Sequence, residues 1–229
     1  ENFKKDLFNY QINLQILKGD ELDILSKIKK KDNVSIYWNK VYEPDVIAKG
    51  KKIRDFFVKN EINFKYFKGN ILNEYQEVTK NDKTPFKVFT PFWRTAEKIY
   101  LNSPPSKNYI VKKKSKIKSF FKNCITPTDM LPKKNWHKKF EEYWKVSESD
   151  SKKILKNLIE NKIKDYGTSR DIPSVEGTSK LSPYIKFGQI HVGTIWKKCN
   201  EIKPKGIGYR KYINELGWRE FSHSLINYF

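Results

Sequence analysis

Apolar residues recur along this chain at two spacings, and the switch between them divides it into unlike parts. "INLQIL" (12–17) is a short apolar run closed by the turn residues Gly19 and Asp20, which predicts a strand. Leu22, Ile24, Leu25 and Ile28 follow at helical spacing, and "VSIYW" (34–38) is rich in β-formers. "PDVIAKGKKIRDFFVKNEI" (44–62), with Pro44 near its start, predicts a second helix, and "NFKYFKG" (63–69) a further strand. Strands alternating with helices predict a parallel α/β sheet. Residue 1 already lies inside an element, so this unit is expected to lack its first strand and helix.

From Glu97 the pattern breaks down. "SPPSK" (103–107), "KKKSKIKSFF" (112–121) and "ITPTDMLPKKNW" (125–136) mix proline and lysine clusters without a clean period, as a surface linker does. After Ser149 the spacing becomes helical: Ile154, Leu155, Leu158, Ile159 and Ile163 share one face. The expected layout is an α/β unit over 1–95, a basic linker over 96–150, and the first part of an all-α unit over 151–229. No internal repeat is visible.

Composition narrows the setting. The 229 residues carry a formal net charge of +21, which suits a polyanionic partner such as nucleic acid. Only five of the 47 basic residues are Arg, however, and lysine is abundant everywhere, so a compositional bias explains part of the charge. No apolar run reaches membrane-spanning length and no signal peptide is visible. Cys124 and Cys199 lie far apart without a partner motif, which fits a reducing, cytoplasmic compartment. His137, His191 and His223 show no ligand spacing, so no metal site is expected and all three read as structural or surface residues.

Two stretches carry chemistry. In "GTSKLSPYIKFGQI" (177–190), Thr178, Ser179 and Ser182 precede an amphipathic run. Pro183 sits as a first helical residue after Ser182 as N-cap, which is either an ordinary capped helix or a seat for a phosphate. Just upstream, Tyr166 supplies an aromatic face and Arg170 a fork of donors, so the whole suits a large phosphorylated aromatic ligand. In "YRKYINELGWREFSHSLINYF" (209–229), Tyr212, Glu215, Arg219 and Ser222 form one helical stripe bordered by Trp218. Ile213, Leu216, Phe221 and Leu225 supply the packed side. The stripe reads either as a surface salt-bridge face or as a surface that stacks on a base and accepts a hydrogen bond from its edge.

Four ordered blocks, "VSIYWNKVYEPD" (34–45), "TPFKVFTPFWR" (84–94), "GTSKLSPYIKFGQI" (177–190) and "ELGWREFSHSL" (215–225), resemble signature blocks of the DNA photolyase/cryptochrome family. The resemblance is strongest to the class I branch that repairs cyclobutane pyrimidine dimers, and it covers about the middle half of a typical member. It implies an incomplete Rossmann-like antenna domain, a linker, and the first part of an all-α FAD-binding domain, truncated at both ends. It implies flavin adenine dinucleotide held by Tyr166, Thr178, Ser179, Lys180, Leu181 and Ser182, with Tyr212, Glu215 and Arg219 on the flavin and substrate side. Family members usually have arginine at the position of Lys180 and often tryptophan at that of Tyr212. Arg170, Glu215, Trp218 and Ser222 are the implied DNA contacts, Glu215 accepting from the pyrimidine edge and Trp218 stacking on it.

The implied activity is light-driven electron transfer from reduced flavin to the dimer in UV-damaged DNA, in a cytoplasmic, nucleoid-associated monomer of bacterial type without membrane or obligate protein partners. Asn39, Tyr42 and Glu43 lie in the antenna-domain block; the resemblance leaves room for a second, antenna chromophore of folate or deazaflavin type, which no residue of the sequence identifies. The alternatives are a cryptochrome-type photoreceptor without repair activity and a plain nucleic-acid-binding fragment. The isolated chain is expected to be inactive and to bind flavin weakly or not at all. Trp38, Trp93, Trp136, Trp144 and Trp196 are expected in core packing rather than electron transfer.

Overall fold

The structure, a computed structural model, describes residues 2–28, 32, 34–102 and 121–229. The basic stretches 103–107 and 112–120 lie outside the described residues. Helices α1 (Asn2–Asn9) and α2 (Glu21–Leu25) precede strand β1 (Ser35–Asn39). Helix α3 (Pro44–Lys59) then crosses to strand β2 (Asn63–Phe67), which pairs parallel to β1 in the register Ser35↔Asn63 through Asn39↔Phe67. A parallel pair needs such a crossover, and α3 is built for it: Pro44 opens it, Asp45 sits in the first turn and Lys59 in the last. Beneath the pair lies a small core of Ile28, Phe57 and Ile62, with Trp38 packed on Phe64 at 5.6 Å.

The strand expected at 12–17 does not form among the described residues. Only Ile16 makes a bridge, antiparallel, to Ile125, while the Gln15 amide donates to the Phe121 carbonyl at 2.7 Å. Apolar alternation makes a segment capable of being a strand. A ladder of neighbouring N–H and C=O groups makes it one, and this segment has a single bridge.

Helix α4 (Phe89–Asn102) runs through residue 95 and into the helical half, where Phe92, Trp93, Ala96 and Tyr100 join a large core. After short turns at Pro127–Met130 and Asn135–Lys139 come α5 (Phe140–Tyr143), α6 (Glu148–Asn157), α7 (Tyr166–Ser169), α8 (Ser182–Lys186), α9 (Val192–Asn200) and the long α10 (Ile207–Tyr228). Leu155, Leu158 and Ile163 bury the predicted face of α6 and of the wider π-type turn that follows it. Along α10, Ile213, Leu216 and Phe221 are buried as their spacing predicts. Gly217 lets α4 approach: a Cβ there would lie 2.5 Å from the Trp93 ring, whose indole N–H donates to Asn214 at 3.2 Å. Trp93 and Trp196 are core residues, but Trp136 is exposed, its ring meeting only its near neighbours His137 and Phe140 among the described aromatics.

A loop, 69–74, locks the two halves together: Leu72 enters the helical core, and polar side chains bind the backbone around it. The Glu220 carboxylate, fully buried, accepts from the Leu72 amide at 2.7 Å and from Arg219 Nη1 at 2.7 Å. Arg219 Nη2 donates to the Asn70 carbonyl at 2.6 Å. The Asn70 side chain donates to Ile185 O and accepts from Val192 N, and Asn73 donates to Ala96 O at 3.1 Å. His191 caps α9 through Nδ1 and places Nε2 3.2 Å from Gly69 O. Burial raises the Glu220 pKa, while Arg219 and the two loop amides pull it back down.

Candidate functional site

The hydroxyl turn is held in place by two backbone devices. Gly177 lies against Ser169, with 2.3 Å between a would-be Cβ and its backbone, so only glycine lets the loop return onto the end of α7. Lys180 then takes a left-handed conformation (φ 54°), and its ammonium pairs with Glu176. That turn brings the chain into helical geometry at Leu181 (φ −86°, ψ −14°), so α8 starts one residue earlier than predicted. Ser182 is the first helical residue, not the N-cap, and Ser179 Oγ accepts instead from Leu181 N at 3.3 Å. The Leu181 side chain is buried as an anchor, leaving Thr178 and Ser182 exposed. Lys162, which sequence reading passed over, donates to the Thr178 carbonyl at 3.4 Å. Two hydroxyls flanked by Lys162 and Lys180 suit a phosphorylated ligand.

Helix α10 stands directly beside this turn. Tyr212 meets Tyr166 edge to face, with centroids 5.0 Å apart. Burial raises the pKa of both phenols and keeps them neutral. The Arg170 guanidinium lies 5.7 Å from the Tyr166 ring centre and forms an ion pair with Glu215. Glu215 in turn raises the Arg170 pKa. The turn, Tyr166, Arg170, Tyr212 and Glu215 are therefore one connected surface. Two side chains expected to reach a ligand separately hold each other instead, so a ligand meets them as a pair.

The rest of the stripe behaves differently. Arg219 turns away from the turn toward the 69–74 loop, because the buried Glu220 needs a cation more than an exposed stripe does. Ser222 Oγ bonds back to the Trp218 carbonyl at 2.9 Å. The Trp218 ring is 47% exposed but not free on both sides: Phe89 stacks on it at 3.9 Å and 8°. Phe89 was not singled out from sequence, although it opens the "FTPFWR" helix. The uncovered Trp218 face remains a stacking surface.

In the α/β half a cavity of about 670 Å³ is lined by Trp38, Asn39, Lys40, Tyr42, Arg54 and Glu74, among others. Tyr42 accepts from Gly69 N at 3.0 Å and donates to Glu74 at 3.2 Å; burial raises its pKa well above the usual phenol value. Glu43, named with these residues from sequence, instead reaches Lys186 of α8, which lowers its pKa. Among the described residues, no cluster of His, Cys, Asp and Glu could hold a metal ion, and no helix is long and apolar enough to cross a membrane.

Residues 1–111 match the family model described as DNA photolyase. A deoxyribodipyrimidine photo-lyase of Agrobacterium fabrum is 27% identical over 225 residues, covering 94% of this chain and 46% of the relative. The chain thus spans about half the length of the curated relatives it matches. Among solved structures, a bacterial class III photolyase from Agrobacterium tumefaciens superposes with a TM-score of 0.88 at 23% identity, covering 100% of this chain and 48% of the other. A cryptochrome of Synechocystis sp. PCC6803 superposes with a TM-score of 0.84 at 17% identity, covering 99% of this chain and 48% of the other. The fold is the one these photolyase and cryptochrome structures share over about half their length.

Proposed function

We propose that the chain is part of a light-driven DNA repair enzyme of the DNA photolyase/cryptochrome family, acting on cyclobutane pyrimidine dimers in UV-damaged DNA. The family match over residues 1–111 and the photo-lyase relatives support the family reading. The single observation that carries the site is the double contact between α7 and α10, Tyr166 edge to face with Tyr212 and Arg170 ion-paired with Glu215, on the same α7 against which Gly177 seats the hydroxyl turn. Thr178, Ser182, Lys162 and Lys180 are the groups we assign to the pyrophosphate of flavin adenine dinucleotide. The neutral Tyr166 and Tyr212 rings form an uncharged wall that keeps water from the ring system. Bound there, the reduced flavin would supply the light-excited electron that splits the dimer.

Arg170 steadies Glu215, whose carboxylate retains lone pairs to accept from a pyrimidine edge. Trp218 offers its open face to the lesion, backed by Phe89. A second chromophore of folate or deazaflavin type we place in the cavity lined by Trp38, Asn39 and Tyr42. The finer class I expectation is dropped to the level its branches share, since a class III photolyase is among the matching structures. A cryptochrome shares the fold as well. The joint presence of Glu215 and an open Trp218 face beside the turn favours repair over a photoreceptor without a lesion pocket. The test uses protein expressed from the reading frame that carries these residues, mixed with UV-irradiated oligothymidylate. Dimers should disappear under blue light and persist in darkness; dimers persisting in both overturn the proposal.

A further inference from the structure

Residues 130–146, "MLPKKNWHKKFEEYWKV", form a second surface that shares no residue with the α7–α10 site. Their far end is tied down: Trp144 packs on Tyr184, and the Tyr184 hydroxyl donates to the Lys145 carbonyl at 2.7 Å. The near end stands out from the body. Trp136, Phe140 and Tyr143 are 61%, 55% and 78% exposed. They sit at offsets of four and three along the helical turns Asn135–Lys139 and Phe140–Tyr143, so they make one row on one side. Trp136 meets Phe140 at 5.9 Å and 82° and His137 at 6.2 Å and 83°, and its ring keeps most of its surface in solvent.

Around this row stand five lysines, 133, 134, 138, 139 and 145, against two carboxylates, Glu141 and Glu142. Lys145 donates to the Glu141 carbonyl, and among the described residues none of the other four is ion-paired. Cations without an ion-pair partner among the described residues, interleaved with exposed rings, match one kind of occupant. A single nucleic-acid strand offers phosphates to the ammonium groups and unpaired bases to the rings, and it binds such surfaces with little regard to sequence. A duplex could use only the lysines, because its bases are already stacked. A bilayer surface would be opposed by Glu141 and Glu142 next to the rings and would favour a longer aliphatic stripe than this one.

We propose that the 130–146 segment is a platform for an undamaged single nucleic-acid strand, separate from the lesion site. The test is fluorescence anisotropy of the 229-residue chain with a labelled, undamaged oligothymidylate of about sixteen nucleotides, within the strand length that such platforms occupy. Binding should weaken at least about tenfold in Trp136→Ala/Phe140→Ala, the loss expected for stacked bases. It should also fall steeply between roughly 50 and 200 mM salt. Arg170→Ala should leave it unchanged, which separates this surface from the proposed repair site. The replaced rings are exposed, so far-UV circular dichroism should match the parent chain. Oligothymidylate affinity that survives the double substitution overturns the proposal. So does a variant that keeps strand binding but loses binding to phosphatidylglycerol vesicles, since the rings would then serve a membrane.

Discussion

The two halves of this molecule are held together by opposite means. The helical half buries a continuous core from Phe92 and Trp93 on α4 through Trp196 to Ile213 and Phe221 on α10. Among its described residues the α/β half has two paired strands and a core of Ile28, Phe57 and Ile62, while Tyr37, Val58 and Phe67 remain exposed. So thin a core contributes little stability of its own. What ties it down is the 69–74 loop, which sends Leu72 into the helical core and is closed by polar contacts of Glu220, Arg219, Asn70 and Asn73. The candidate site accordingly sits wholly on the well-packed half, and the clamp that steadies α10 comes from the other.

The sharpest way to break this comparison is Glu220→Ala. It strands the Arg219 charge and the Leu72 amide in a buried interface, a loss of about 3–5 kcal/mol. Denaturant unfolding should show that loss for both halves; a change under about 1 kcal/mol would mean that the clamp is ornamental. Phe57→Ala should be milder, about 3 kcal/mol, at the low end for a buried aromatic because the thin core can collapse around the gap. Its effect should also be local. Hydrogen exchange should show β1 and β2 amides losing protection while α10 amides keep theirs; equal loss in both halves would show one shared core.

A smaller effect comes from acid. Burial lowers the pKa of His191 and His223, both at the junction between the halves. The unfolded chain therefore takes up protons first. Stability should be complete above the ordinary histidine value of about 6.5 and should decline as pH falls through the lower folded values. Asn is also a good N-cap but does not titrate, so His191→Asn should flatten this decline. An unaltered pH profile in that variant would remove His191 from the account.

Much of this architecture was legible in the chain. Period and punctuation placed β1, α3 and β2, and the spacing of Ile213, Leu216 and Phe221 gave the buried side of α10. The hydroxyl turn and the Tyr212–Glu215 stripe could be named because each is local in sequence. What escaped depends on partners far along the chain. Whether 12–17 is a strand turns on a neighbouring ladder, and Arg219 was drawn from the stripe by a buried carboxylate one residue away and a carbonyl at Asn70. Trp136 reads like any core tryptophan, yet it sits on a short turn that leaves it exposed. The cap shifted from Ser182 because Lys180 adopts a left-handed turn that a lysine does not announce.

The claim on which the functional account rests is that the hydroxyl turn and the exposed edge of α10 face one lesion-holding cleft. The most direct measurement compares the chain's affinity for duplex DNA with and without a single cyclobutane dimer, in the parent and in Trp218→Ala. The account predicts tighter binding to the damaged duplex, with Trp218→Ala costing about 1–3 kcal/mol of that affinity and little of the undamaged binding. Equal affinity for the two duplexes, or a lesion preference that survives loss of the Trp218 ring, would contradict it.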